Sequence, residues 1–420
     1  MSNLAFTRLS VLLIASSMTL AGQAQTLFID DATVYTMGTP PMVQNADILI
    51  RNGQVIEVGR GLTAPADATL VEAFRRPVTP AFFAGITALG LEEISLETST
   101  VDQTLQWEKM RPEFNVTPAY NPYSASIPVT RIEGYGWTLL SAGSSGSIIG
   151  GQGRAVLLDG GFDSFVSSPV LYINLGARTS AMSGQSRAAQ FMLLNQAMGE
   201  AASEMAWTAD ALLTQPGRRA LASYQGTGVV VFNVERASDI LQVLAFAAAN
   251  NLNAVISGGT EAWMVADQLA ESGVPVLLDP LINLPYTFDQ LGARLDNAAI
   301  LYDAGVTIAF ISGDASPHNA RKLRQAAGVA VANGLPHDAA LAALTTNPAS
   351  IFGLPDGYGA IMADTTANLV LWSGDPLEVT TLAENVVLNG RLIPMVSRQT
   401  LLRDRYLPEN PGKPRAYIKP

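Results

Sequence analysis

Two histidines and no cysteine bound the chemistry open to this chain of 420 residues. Without a thiol there is no cysteine nucleophile, no thiolate zinc site and no disulfide. Two imidazoles cannot build a four-imidazole metal site. His318 lies four residues beyond Asp314, at the start of a helix expected near Asn319, and is a candidate ligand-binding residue. His337, in GLPHDAA, reads as a solvent-facing residue in the first turn of another helix. A Ser-His-Asp triad would need one of these two, and the chain has neither a Gly-x-Ser-x-Gly elbow nor a Gly-Lys-Ser/Thr phosphate loop. Carboxylates are the remaining reactive groups. Glu92, Glu93, Glu97, Asp279 and Asp314 follow apolar runs, and oxygen donors of this kind suit magnesium, calcium or manganese better than zinc. Helix capping and a solvated rim account for the same acids more simply. GSSGSIIGGQG, residues 143–153, offers backbone N–H groups to an anion, although a glycine-rich segment is more simply a flexible loop.

The elements that must position these groups are short apolar runs. TPAFFAGIT, GYGWTLLSA, GRAVLLD, PVLYINL, GVVVFNV, NAVISGG, VPVLLDP and VTIAFISGD read as strands. From residue 228 onward they alternate with helical patterns such as ASDILQVLAFAAANN and NARKLRQAAGVAVANG. Eight buried strands alternating with helices predict an α/β fold, a (β/α)8 TIM-like barrel, with a doubly wound open sheet as the alternative. Residues 92–126 lack periodicity and read as a long loop shaping the site after the first barrel strand. Near each end of the chain an Asn-Gly pair, Asn52-Gly53 and Asn389-Gly390, joins β-type runs, as tight hairpins require. These ends predict a small β-sandwich domain built from both chain ends, residues 25–79 and 356–400, around a barrel of residues 80–355, with a tail at 401–420.

Charged residues make up 15 % of the chain and hydrophobic ones 48 %, which excludes a disordered chain. The net charge of −11 repels a phosphate backbone, so nucleic acid is not an expected partner. Residues 1–24 read as a signal peptide: Arg8, an apolar run from Leu9 to Leu20, then Gly22-Gln23-Ala24. That run is too short to span a bilayer. The expectation is a periplasmic or secreted protein that holds to no membrane once the signal is removed.

LIRNGQVIEVG followed by VTPAFFAG, and later GVTIAFISGDAS, GLPHDAALAALTTNPASIFGLPDGYGAI and ANLVLWSGDPLEV, resemble the amidohydrolase superfamily, particularly its imidazolonepropionase-like branch. The resemblance implies one or two divalent metals, held by a His-x-His pair ending strand 1, histidines ending strands 5 and 6, and an aspartate ending strand 8. Residues 80–88 are similar to the family's Pro-Gly-Leu-Ile-Asp-Ala-His-x-His, which puts Ile86 and Ala88 at the paired histidines. Asn233 then stands at the strand 5 histidine and Gly258 at the strand 6 histidine, while Asp314 keeps the family's residue. In active relatives a metal-bound hydroxide attacks an amide carbonyl and the aspartate matching Asp314 passes the proton to the leaving nitrogen.

Isoleucine and alanine donate nothing to a metal. A bound divalent ion lowers the pKa of water from about 15.7 to about 7, worth ~12 kcal/mol in making hydroxide. General-base help from a lone carboxylate gives only about 10²- to 10⁴-fold. The expectation is therefore a divergent family member that has lost its histidine ligands and holds no cofactor. It would act as a non-catalytic binding or partner protein for a small amide-like ligand, as a homo-oligomer or in complex with an active relative. The alternative is a hydrolase of non-peptide carbon–nitrogen bonds with an unusual carboxylate and asparagine site or one weakly bound divalent ion. Asp314 is the candidate catalytic residue, and Asn233 and His318 are the candidate substrate-binding residues.

The signal reading predicts Gln25 as the first residue of the exported protein, since Gly22 and Ala24 supply the two small recognition positions. An intact mass that retains residues 1–24 on the exported protein would refute it.

Overall fold

In a computed structural model of the chain, the structure describes residues 26–407 apart from 108, 204–207, 209–210 and 356. The expected signal at 1–24 and the tail beyond 407 lie outside the described residues. Two sheet systems, each with its own apolar core, divide the chain much as the runs of strand and helix suggested.

The smaller domain is an eight-stranded sheet assembled from both ends. Leu27–Tyr35, Met42–Arg51, Gln54–Gly59, Thr69–Glu72 and Pro77–Pro80 join Leu369–Trp372, Ala383–Leu388 and Arg391–Ile393. Its core includes Leu27, Ile29, Ile48, Ile50, Leu369 and Val387. Both Asn-Gly turns have the positive φ angles of tight hairpins: 54° and 85° at Asn52 and Gly53, 49° and 68° at Asn389 and Gly390. The two turns also meet, since Gly390 approaches the backbone of Gly53 so closely that a Cβ would lie 2.4 Å from its Cα.

Seven barrel strands run in one direction. Phe82–Thr87 pairs parallel with Tyr135–Leu140. Val170–Asn174, Val229–Val234, Asn253–Gly258, Val276–Leu278 and Ile308–Phe310 form a second parallel series. From Val229 onward each is followed by a helix, namely Ala237–Ala249, Ala266–Ser272, Asn297–Asp303 and Leu323–Ala332. The two groups approach one another through hydrogen bonds from Ala88 N to Ala315 O and from Leu140 N to Arg154 O. This is the TIM-like architecture expected from the sequence, with one difference of direction. The GRAVLLD segment runs antiparallel to both neighbours: Ile149–Gly153 against Val170–Asn174, and Ala155–Leu157 against Tyr135–Leu140. A parallel return needs a crossover of about a dozen residues or more, and the connection at 141–148 is too short.

The second half of the glycine-rich stretch, Ile149–Gly153, is therefore strand rather than free loop. Glycine is required there by close approach, since a Cβ on Gly153 would lie 1.9 Å from Leu140 O.

Trp372 and Arg324 lock the two systems together. Trp372, on the small sheet, stacks on Phe82 of the first barrel strand at 5.0 Å between centroids and donates its Nε1–H to Thr79 Oγ1 at 2.8 Å. Arg324 is 1 % exposed, and its guanidinium donates to the carbonyls of Pro376, Glu378 and Thr381 while lying over the Trp372 ring. His337 also belongs to this seam: its Nε2 lies 3.0 Å from Asp375. His337 is also the first residue of the helix His337–Leu344, as expected, and remains partly open to solvent while it makes this contact.

Arg324→Met leaves three buried carbonyls without their donor, and loss of a charged hydrogen-bond hub of this kind costs on the order of 3 kcal/mol. Urea unfolding of the variant should register that loss, and a change within 0.5 kcal/mol would mean that the hub is not stabilising.

Candidate functional site

Because the parallel strands share a direction, the residues just beyond their ends collect on one face. There they line a recess of two communicating chambers, an outer one of about 460 Å³ and an inner one of about 280 Å³, with Arg178, Glu235, Asp279 and Asp314 common to both. Three of the four expected metal-ligand positions, Ile86, Asn233 and Gly258, line the inner chamber together with Asp314. Ala88 is buried and lines neither chamber. Gln103 and Thr104, from the long loop after the first strand, reach the inner chamber.

His318 does not join this group. The carbonyl of Ala315 accepts from Ala88 N, which carries the next residues past the first strand, and His318 opens onto a separate cleft with Glu93, Arg321 and Arg398. The structure thus does not bring His318 together with Asn233 and Asp314. Two other acids after the first strand serve their own loop, Glu92 accepting from Gln103 Nε2 at 2.7 Å and Glu97 capping the turn at Thr98–Thr100.

Three carboxylates do face the recess, and each is satisfied by nearby donors. Asp314 accepts from Ser312 Oγ, Ser316 N and Asn319 Nδ2, at 3.0 to 3.3 Å. Asp279 accepts from Leu281 N at 2.9 Å and Gly313 N at 2.7 Å. Glu235 accepts from Thr260 N at 3.1 Å and Thr260 Oγ1 at 2.6 Å. Glu235 also fills the space beside Gly258, where a Cβ would lie 2.8 Å from its Oε1. Gly258 has φ of 94°, so a side chain there meets both strain and collision.

The resident groups do not fit the divalent site that the resemblance implies. Ile86 and Ala88 are apolar, Gly258 has no side chain, and Asn233 offers one amide whose Nδ2 donates, at 3.5 Å, to Asn174 Oδ1. Among the described residues no group of three or more histidine, cysteine, aspartate or glutamate side chains is placed to hold a metal ion. The inner chamber also presents neutral hydrogen-bonding groups, including Ser141, Asn174, Asn233 and Ser257.

Two residues of the recess escaped the reading of the sequence. Glu235 follows Asn233 by two residues, and the period-2 alternation of a strand was the signal that places both on one side. Arg178 lies in the turn Ala177–Ser183 after the third parallel strand, and nothing in the local sequence marks it.

The Amidohydrolase family model matches residues 193–395. A crystal structure of an amidohydrolase from Thermotoga maritima MSB8 superposes with a TM-score of 0.78 at 24 % identity, covering 88 % of this chain and 99 % of that one. The β-aspartyl dipeptidase of Fervidobacterium islandicum AW-1, solved in complex with a β-Asp-Leu dipeptide, superposes with a TM-score of 0.52 at 16 % identity, covering 89 % and 98 %. Amidohydrolase tasK of Hapsidospora irregularis is 37 % identical over 91 residues, 22 % of this chain. That stretch spans only 9 % of the relative's own length.

Burial pushes the Asp279 carboxyl above its ordinary value of 3.8, and the charge of Asp314 adds to the rise, while the N–H groups of Leu281 and Gly313 hold it back. A carboxyl with a raised pKa binds its proton more tightly in the folded state, so ionisation weakens the fold. That penalty is complete above the folded pKa and absent below 3.8. In chemical unfolding of wild type and Asp279→Asn, the stability difference should shift in favour of wild type as pH falls from about 7 to about 4. A difference that stays flat or moves the other way would remove the assigned cause.

Proposed function

We propose that this chain is an exported, non-catalytic member of the amidohydrolase superfamily that binds a small amide-bearing molecule in the recess at the strand ends, a reading supported by the family match over residues 193–395 and by the shared fold. The family chemistry is hydrolysis of carbon–nitrogen bonds. One observation carries the departure from it: Ile86, Ala88, Asn233 and Gly258 stand where the resemblance calls for imidazole. None of them replaces a ligand that makes hydroxide at neutral pH. Beside Arg178 and the three hydrogen-bonded carboxylates, the inner chamber presents hydroxyl and amide groups suited to hydrogen-bonding a neutral carbonyl and N–H. Asn233 is the proposed ligand-binding residue. Asp314 is the proposed remnant of the catalytic machinery, its oxygens held by Ser312, Ser316 and Asn319.

A metal-independent hydrolase is the second reading, favoured by the unequal environments of Asp279 and Asp314. Burial raises the Asp279 carboxyl above its ordinary value, while Asp314 beside it is exposed, and a carboxyl that holds its proton in this way can serve as a general acid. Export, and association with a second copy or an active relative, belong to the same proposal. They are tested by intact mass and by light scattering of the purified protein.

Protein purified without chelator is expected to carry near-zero divalent metal and to leave cyclic amides and dipeptides intact, with or without added zinc, manganese or magnesium. Turnover that requires a metal and disappears in Asp314→Ala would overturn the non-catalytic reading. Metal-free turnover lost in Asp279→Asn would establish the second one.

A further inference from the structure

Arg178 is held out into the recess by a framework that is itself buried. Gln190, 1 % exposed on the helix Arg187–Ala202, accepts from Gly176 N at 2.9 Å. Its Nε2 donates to Gly176 O at 2.9 Å and to Thr179 Oγ1 at 3.1 Å. Asp289, 5 % exposed, accepts from Ala177 N at 2.6 Å and is itself paired with Arg187. The backbone is thus fixed on both sides of position 178, while among the described residues the Arg178 guanidinium has no hydrogen bond or ion pair. Every other charge in the recess is engaged. The three carboxylates are satisfied as described above, and Lys322 Nζ donates to Asn319 Oδ1 at 2.9 Å.

A guanidinium has donors only, arranged as a fork that matches a carboxylate. Beside it the outer chamber is walled by Leu281, Ile282 and Tyr286, from the loop after the Val276–Leu278 strand. Leu281 is 49 % exposed and Tyr286 81 %. Large apolar side chains left open to solvent next to an uncommitted cation describe the two ends of an amphiphilic ligand.

We propose that Arg178 is the anchor for a free carboxylate, and that the ligand is a small amide-bearing carboxylate whose apolar side group lies against Leu281, Ile282 and Tyr286. This rests on the reading of the recess as an amide-binding site and names the class of molecule it takes. The amide sits toward Asn174 and Asn233 in the inner chamber, which Arg178 also lines. The fork is what selects an acid over its neutral amide, and lysine would supply the charge without the paired donors.

Isothermal titration at neutral pH and low salt with N-acetyl-L-leucine, N-acetyl-L-leucinamide and N-acetylglycine separates the components. N-acetyl-L-leucine should bind about tenfold tighter than either of the others, one lacking the carboxylate and one the apolar group. Arg178→Gln should bring N-acetyl-L-leucine down to the level of the neutral amide and leave the amide unchanged. Because the Arg178 side chain has no hydrogen-bond or ion-pair partner among the described residues, the melting temperature of the variant should match wild type. Equal binding of acid and neutral amide overturns this proposal while leaving the amide-binding reading intact, as does full binding of the acid by Arg178→Gln. Binding of none of the three probes overturns both.

Discussion

Parallel pairing is the constraint from which the rest of this molecule follows. A strand paired parallel to its predecessor must begin at the same end, so the chain has to cross back over the sheet each time, and in this fold helices make most of those crossings. Seven strands obey, and their last residues are brought to a common face whatever those residues are. Position 86, position 233 and position 258 converge there as surely when they are isoleucine, asparagine and glycine as they would with imidazoles. A scaffold of this kind builds a pocket at one place whatever chemistry its lining residues can support.

The same constraint explains why the chain ends have to meet. A barrel leaves the edges of a terminal sheet open, and exposed edges invite pairing with other chains. Here strands from residues 27–80 and 369–393 pair with each other, and Trp372 and Arg324 press that shared sheet against the first barrel strand and the last barrel helix. The hub is buried, charged and hydrogen-bonded to carbonyls, which fixes one docking geometry rather than a sliding contact.

How much of this could be read in advance depended on how local the cause was. The Asn-Gly turns announce themselves because two neighbouring residues must adopt positive φ, and both were found where the residues stood. The barrel strands were legible because burial on both faces leaves a continuous apolar run. The direction of the GRAVLLD strand was not, since it is decided by the length of a connection and by a glycine, Gly153, whose purpose is visible only beside Leu140. His318 illustrates the opposite case: nearness in sequence to Asp314 does not keep it in the same chamber, because the chain turns away at Ala315. Arg178 owes its place to Gln190 and Asp289, one a dozen residues away and the other more than a hundred, and no local pattern carries that information.

Glu235 against Gly258 ties two positions of the recess together. A side chain of any size at 258 meets the Glu235 carboxylate and a positive φ at once. An imidazole there therefore needs a second change at 235, whereas Ile86 already carries a side chain into the inner chamber and needs one. The two positions are keyed to each other, so the width of the chamber at that point is set jointly by both residues and by neither alone.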